Sequence, residues 1–177
     1  MTFVIAEIGI NWDGNLELVR EMIGKAKSAG CNAVKFQAFN KSIVERHPEW
    51  ERLLKSSVTK SNIDEIDVAA KSHNIEWFCT PMYTEAVELL NPYVNRFKIR
   101  EFDGRPLLEN KTSQLIERVF ETGKKVIISS AKSPKSSAFY NKPEISWLSC
   151  VPKYPCQFSD LDFSDINEFD GFSNHCP

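Results

Sequence analysis

The stretch AVKFQAF at residues 33–39 alternates between apolar and polar side chains. On a β-strand, Lys35 and Gln37 would share one face, and the apolar residues between them would share the other. A parallel sheet enclosed between two helix layers is instead apolar on both faces. The alternation therefore favours a TIM (β/α)8-type barrel, in which helices cover the outer face and a polar site opens at the C-terminal ends of the strands.

The same pattern recurs along the chain as short apolar runs separated by helical segments, which is typical of parallel βαβ units in an α/β fold. About seven such units fit the chain. The predicted strands are 3–10, 33–39, 76–80, 96–100, 125–130, 145–151 and 171–175. The predicted helices are 16–29, one beginning near 61, 84–90, 106–122 and 161–169, with a polar stretch through 60 and a loop or vestigial helix at 131–144.

The composition argues against several classes of protein. The chain has 177 residues, with 22 Lys+Arg against 24 Asp+Glu and a formal net charge of −2. No basic stripe indicates a nucleic-acid or membrane-surface partner, and no apolar run reaches the length of a membrane span. The N-terminus does not read as a signal peptide, so a cytoplasmic location is expected. The 5 cysteines form no CxxC pair, which predicts reduced and mostly buried thiols.

Polar and charged residues gather at interior positions near the C-terminal ends of the predicted strands. Lys35 and Lys98 would meet across the mouth of the barrel as two cations. Buried lysines are costly unless an anion satisfies them, so the pair predicts a small-molecule ligand that carries phosphate or carboxylate groups. The other members of this constellation are Glu7, Asn11, Gln37, Thr80, Arg100, Ser129, Tyr154, Ser173 and His175.

Several of these residues have a purely structural alternative. Glu7 could form an internal ion pair with Lys35 or Lys98 instead of acting in catalysis. His175 beside Glu7 could hold a divalent metal, although a lone histidine is more often a hydrogen-bonded core residue. Tyr154 could simply pack and donate one hydrogen bond, and the serines could cap helices. Both sets of interpretations remain open from the residues alone.

Six segments together resemble a known family in their order and spacing. They are IAEIGINWDG (5–14), AVKFQAF (33–39), CTPMY (79–83), FKI (97–99), CVPKYP (150–155) and GFSNH (171–175). The chain thus resembles the N-acetylneuraminate (sialic acid) synthase family, with its pseudaminic and legionaminic acid synthase relatives. The resemblance extends over nearly the whole chain.

The resemblance implies a TIM-barrel domain over residues 1–177. Such a barrel condenses phosphoenolpyruvate with an N-acetylated aldose, typically N-acetylmannosamine, to a nine-carbon 2-keto acid and phosphate. A divalent metal, manganese or magnesium, would orient the sugar aldehyde, with His175 as one ligand. An arginine that the family's C-terminal domain supplies to the partner subunit implies a homo-oligomer, such as a dimer.

The resemblance also implies a role for each candidate residue. Glu7 and Tyr154 would contact the sugar or the metal-bound water, and Gln37 would line the site. The residues that would hold the phosphate and carboxylate of phosphoenolpyruvate are Lys35, Thr80, Lys98, Ser129 and Ser173.

The chain departs from the family pattern at several positions. Trp12 stands where the family has a histidine, residues 100–103 replace a Ser-Gly-Glu turn in what would be a shorter loop, and Pro152 replaces an asparagine. The usual Thr-Gly-Met after strand 5 becomes 130–132, and Cys176 replaces a threonine. The predicted barrel is also incomplete, since the eighth strand with the second metal histidine and the antifreeze-like domain are not in the sequence.

An open barrel would leave unpaired strand edges. Either the chain is a fragment or a short homologue that oligomerises to cover the edge, or residues beyond 177 are absent from the sequence. Two other functions therefore stand beside the synthase: a degenerate, non-catalytic barrel that binds an anionic sugar or phosphate, and a related condensing barrel that uses another aldose.

Overall fold

A computed structural model describes residues 2–175. These residues divide into two compact units, the first ending at Asn95 and the second beginning at Arg96. The strands are β1 Ile5–Gly9, β2 Ala33–Ala38, β3 Glu76–Pro81, β4 Arg96–Ile99, β5 Lys125–Ser130, β6 Ile145–Ser149 and β7 Gly171–Phe172. The helices are α1 Leu16–Ser28, α2 Lys41–Val44, α3 Trp50–Lys55, α4 Ile63–Ser72, α5 Thr84–Leu90, α6 Glu101–Leu108 and α7 Gln114–Glu121.

The first unit contains a parallel sheet in the order β1-β2-β3. Its register places Glu7 opposite Lys35, so these two side chains share one face. The other face carries buried Phe36 and Trp77, whose rings meet edge to face at 6.1 Å between centroids. Helix α4 packs on that second face, because Trp77 Nε1 donates to Asp67 of α4 at 3.0 Å. The predicted alternation of β2 therefore separates a charged face from an apolar face.

The second unit contains a parallel sheet in the order β4-β5-β6-β7. Lys98 pairs in register with Ile127, so Ser129, two residues further along β5, lies on the same face. The opposite face packs on α6, where a Cβ added to Gly104 would approach Ile128 Cγ2 to 2.8 Å. A glycine is required here because the helix backbone comes so close to the sheet. Both units consist of parallel strands with intervening helices, which confirms the α/β prediction.

The prediction of a single helix at 106–122 is wrong. The structure has two helices in this region, and the first begins before residue 106. Helix α6 begins at Glu101 directly after β4, and an i,i+4 ion pair with Arg105 supports its first turns. Asn110, with φ of 59°, ends this segment in the left-handed conformation. Ser113 then caps α7 by accepting a hydrogen bond from the backbone of its third residue. Pro106 misled the prediction because proline usually begins a helix, whereas here it lies inside one.

Other boundaries also differ from the predictions. The polar stretch through 60 contains α2 and α3, and the helix predicted at 161–169 is replaced by the 3-10 turns Phe158–Asp160 and Ile166–Glu168. Between these turns, Asp162 accepts a hydrogen bond from the backbone N–H of Ser164, a local bond that competes with helix formation.

The last strand is shorter than the predicted 171–175. Beyond Phe172, Asn174 Oδ1 accepts from Val151 N at 2.6 Å, and the His175 carbonyl accepts from Cys156 N at 3.1 Å. These bonds tie the segment to the loop that follows β6. From Asn174 onward the predicted strand is therefore bonded to a loop and does not continue the ladder.

The cysteines are reduced in the part of the chain that the structure describes. Within residues 2–175 no disulfide joins the cysteines; Cys79 and Cys156 are buried, and Cys31 and Cys150 are half-buried. No helix in this part of the chain is long and apolar enough to cross a membrane.

Replacing Asp67 by alanine is expected to lower the free energy of unfolding by about 1–3 kcal/mol, because the buried Trp77 Nε1–H loses its acceptor. Urea denaturation measures the change. Lys71→Ala is the matched control: it removes the other partner of Asp67, an exposed ammonium 2.6 Å from Oδ2, and should cost under about 1 kcal/mol. Equal losses in the two variants would contradict this role for Asp67.

Candidate active site

The first group of candidate residues, the Lys35 cluster, comprises Glu7, Lys35 and Thr80 in the first unit. Lys35 Nζ forms an ion pair with the Glu7 carboxylate and donates a hydrogen bond to Thr80 Oγ1 at 3.3 Å. Lys35 is 8% exposed, whereas the Glu7 side chain is 33% exposed. The cluster therefore places a buried ammonium behind a carboxylate that solvent, or a ligand, can reach.

The geometry of the Lys35 cluster follows from strand register. Glu7 and Lys35 are direct neighbours across β1 and β2, and Gln37 is the neighbour of Thr80 across β2 and β3. Of the alternatives for Glu7, the structure contains the internal ion pair with Lys35. Next to this cluster, burial raises the pKa of the Cys79 thiol, so that thiol stays protonated.

Ser57 holds the end of β2 in place, and the sequence analysis did not single it out. Its hydroxyl donates to the Phe39 carbonyl at 2.7 Å and accepts from the Phe39 N–H at 2.8 Å. Val58 N also donates to the Gln37 carbonyl at 2.9 Å. A pair of serines in a polar stretch is typical of a linker, so the sequence contained no signal for this role. The contacts fix the backbone that carries Gln37.

The second group, the Lys98 cluster, comprises Lys98, Ser129 and Cys150 in the second unit. Lys98 Nζ donates to Ser129 Oγ at 2.6 Å and to the Ile99 carbonyl at 2.7 Å. Lys98 is 5% exposed and Ser129 is 6% exposed. Burial raises the pKa of the Cys150 thiol, which Lys98 and the Ser129 hydrogen bond partly oppose. The cluster thus places a buried ammonium beside a hydroxyl and a backbone carbonyl.

Two arginines near the Lys98 cluster, Arg100 and Arg105, already form ion pairs with carboxylates. The Arg100 guanidinium, assigned by the sequence to the polar constellation, donates to the Asp103 carboxylate, with one contact at 2.9 Å. Arg105 donates to both oxygens of Glu101, whose side chain is 15% exposed. These bonds engage the charges of Arg100, Glu101 and Asp103 in ion pairs.

The remaining candidates lie on or beside the loop after β6. Tyr154 is 73% exposed, and its ring lies against that of exposed His175, with 4.4 Å between centroids and the ring planes tilted by 40°. Ser173 is half-buried, and its N–H donates to the Ser149 carbonyl at 2.8 Å. Tyr154 therefore differs from Lys35 and Lys98 in facing solvent. The structure brings Tyr154 and His175 together, which the spacing alone did not predict.

The described residues do not fit a metal centre. Residues 2–175 contain no group of three or more His, Cys, Asp and Glu side chains that could hold a metal ion. His175, the residue that the resemblance assigns to the metal, instead contacts the ring of Tyr154. The metal stays a prediction from the resemblance, and no chemical step is derived through it.

Comparison with protein families and curated proteins places the chain among known sequences. A family model described as the NeuB family matches residues 22–175. An uncharacterized protein of Methanocaldococcus jannaschii is 28% identical, over 98% of this chain and 53% of that protein. The N,N'-diacetyllegionaminic acid synthase of Legionella pneumophila is 25% identical, over 98% and 57% respectively. The human N-acetylneuraminate-9-phosphate synthase is 27% identical, over 98% and 55%.

Solved structures resemble the chain over almost all of its length. The N-acetylneuraminic acid (sialic acid) synthetase of Leptospira borgpetersenii, solved with citrate, superposes with a TM-score of 0.79 at 28% identity, over 98% of this chain and 65% of that chain. A truncated 3-deoxy-D-arabino-heptulosonate 7-phosphate synthase of Thermotoga maritima has a TM-score of 0.63 at 12% identity, a likeness of fold alone. The chain spans about half the length of the curated relatives it matches.

Proposed function

Since the chain belongs to the NeuB family, we propose that it condenses phosphoenolpyruvate with an N-acetylated amino sugar, N-acetylmannosamine or a similar aldose. The products are a nine-carbon 2-keto sugar acid and phosphate. Relatives named legionaminic acid and N-acetylneuraminate-9-phosphate synthases support this reaction class. The proposal includes a cytoplasmic location, as the N-terminal sequence predicts, and a homodimer, as the resemblance implies.

The observation that most supports the proposal is the pair of buried lysines, each bonded to a hydroxyl. Lys35 contacts Thr80, and Lys98 contacts Ser129. An ammonium held in place with a hydroxyl beside it is suited to phosphate and carboxylate oxygens, because both donors are oriented before the ligand arrives. We assign both lysines, both hydroxyls and Ser173 to phosphoenolpyruvate binding.

In the proposed reaction, C3 of phosphoenolpyruvate attacks the aldehyde carbon of the sugar and forms the new carbon–carbon bond. The aldehyde oxygen takes up a proton and becomes a hydroxyl. Water then adds at C2, and the C2–O bond to phosphate breaks, which leaves the 2-keto acid and free phosphate. Lys35 and Lys98 would stabilise the anionic groups during these steps.

Glu7 is suited to a role at the sugar. Its carboxylate is partly exposed and is oriented by Lys35, so it can accept a hydrogen bond from a sugar hydroxyl or from the attacking water. We also assign Tyr154, which is exposed and lies against the ring of His175, to contact with the sugar, and Gln37 to the lining of the site, as the resemblance implies. These assignments extend the resemblance residue by residue.

A second candidate function is binding without turnover. One observation favours it: the charges of residues 100–103 are engaged in ion pairs. In this case the lysines would still bind an anionic sugar or phosphate. The two candidates differ only in whether phosphate is released.

Incubation with phosphoenolpyruvate, N-acetylmannosamine and manganese is expected to release phosphate and to form a product of the mass of the condensed keto acid. Lys35→Met should lower the rate by about a hundredfold or more, because it removes a charge that stabilises the anionic transition state. Release of phosphate is measured together with product mass. Lys60→Met, at a residue outside both lysine clusters, controls for loss of a lysine.

Three results separate the candidates. Phosphate release with the expected mass supports the synthase. Binding of phosphoenolpyruvate without phosphate release supports the non-catalytic binder. Phosphate release only when another aldose replaces N-acetylmannosamine indicates the related condensing barrel. Absence of binding in folded protein would contradict both proposals.

A further inference from the structure

Gly9 lies where the end of β1 becomes irregular. The register of β1 against β2 shifts between Glu7 and Gly9, and Gly9 adopts φ of 52°. A Cβ added at Gly9 would come within 2.9 Å of Glu7 Oε1, a distance that real Cβ atoms do not show. The Glu7 carboxylate therefore folds back over the backbone of residue 9, into space that only a glycine leaves open.

This close approach involves the same carboxylate that pairs with Lys35. The Glu7 side chain ends beside the Lys35 ammonium, and its other neighbour is the position that a residue 9 side chain would fill. A collision there would involve the tip of a flexible side chain and no backbone atom. It would be relieved by moving the carboxylate, whose Oε1 the added Cβ would meet and whose Oε2 pairs with Lys35, so the ion pair with the buried Lys35 would be displaced.

We propose that Gly9 is a positioning residue that holds the Glu7 carboxylate against Lys35 Nζ. The effect of Gly9 on catalysis rests on the proposed function, in which the Glu7 and Lys35 side chains contact the substrates. The geometry itself is independent of that function. Gly9 thus has two separate requirements, a left-handed backbone and an empty Cβ position.

Gly30 provides the matched control, because it meets only the first requirement. Its φ is 84°, and a Cβ added there would meet nothing within 4 Å. Alanine at either glycine introduces backbone strain of the same kind. Only alanine at Gly9 collides with Glu7. A difference in behaviour between the two alanine variants therefore reports on the displacement of the Glu7 carboxylate.

The first test is the ¹⁵N NMR signal of the Lys35 ammonium. The wild-type chain and Gly30→Ala should show the same signal, whereas Gly9→Ala should lose or shift it as Glu7→Ala does. Gly9→Asn, which tolerates this φ more readily but carries the same Cβ, should act like Gly9→Ala and serves if the alanine variant folds poorly. An unchanged Lys35 signal in the Gly9 variants would overturn the proposal.

The second test is a double-mutant cycle of Gly9→Ala with Glu7→Ala, measured by urea denaturation. Gly9→Ala should raise the unfolding equilibrium constant about tenfold more in the presence of Glu7 than in its absence. Gly30→Ala should have the same effect in both backgrounds. Equal costs of Gly9→Ala with and without Glu7 would show that only backbone strain matters there, and would overturn the proposal.

Calorimetry with phosphoenolpyruvate separates this inference from the proposed function. Gly9→Ala should change the dissociation constant of phosphoenolpyruvate about tenfold relative to Gly30→Ala, because the Lys35 ammonium that binds the anion is no longer held by Glu7. If the wild-type chain binds no phosphoenolpyruvate, the proposed function fails, while the Lys35 signal and the cycle still decide the role of Gly9. If wild-type binding is present but equal in both variants, the positioning role in substrate binding is wrong.

Discussion

Lys98→Met is expected to weaken phosphoenolpyruvate binding by about a hundredfold or more, because it removes a buried charge that the ligand needs. Lys98 is 5% exposed, and its ammonium bonds to the Ser129 hydroxyl at 2.6 Å. Methionine keeps most of the apolar stem and removes the charge. The measurement is isothermal titration calorimetry of phosphoenolpyruvate into the wild-type and variant chains.

The same substitution should change the free energy of unfolding by no more than about 1 kcal/mol, since the lost hydrogen bonds of the ammonium are offset by a charge that no longer has to be buried. Lys125→Met is the control, because Lys125 begins β5 in the same sheet but is exposed. If both substitutions weakened binding equally, the effect would come from net charge, and the proposed role of Lys98 would be wrong.

Phe36→Ala is expected to lower the free energy of unfolding by about 3–5 kcal/mol, because it opens a cavity in the core of the first unit. Phe36 is 0% exposed and packs edge to face on Trp77. Gln37→Ala is the matched substitution on the neighbouring residue, whose side chain is half-buried on the other face, and should cost under about 1 kcal/mol. Urea denaturation at a fixed pH measures both. A larger loss for Gln37→Ala would contradict the assignment of the two faces of β2.

Strand faces could be predicted from the sequence because a strand has a period of two residues. The positions of Lys35 and Lys98 on faces opposite Phe36 and Phe97 follow from that alternation, and the structure agrees with it. Helix boundaries could not be predicted as well. The break at Asn110 depends on a left-handed backbone conformation that asparagine adopts only at some positions, so its presence in the sequence did not distinguish a break from a continuing helix.

Partners within the candidate site were harder to predict than its members. Glu7 was identified as a candidate, but its pairing with Lys35 depends on the register of β1 against β2, which residue identities do not reveal. Ser57 was missed because its role depends on two backbone atoms of Phe39. The contact between the rings of Tyr154 and His175 joins two segments that are distant in sequence.

The measurement that tests the central claim most directly is calorimetric titration of phosphoenolpyruvate into the 177-residue chain, with and without manganese. The account predicts saturable binding that is lost in both Lys35→Met and Lys98→Met and retained in Lys125→Met. No binding by well-folded wild-type chain, or binding that both variants retain, would contradict the claim that these two buried lysines form the basis of an anion-binding function.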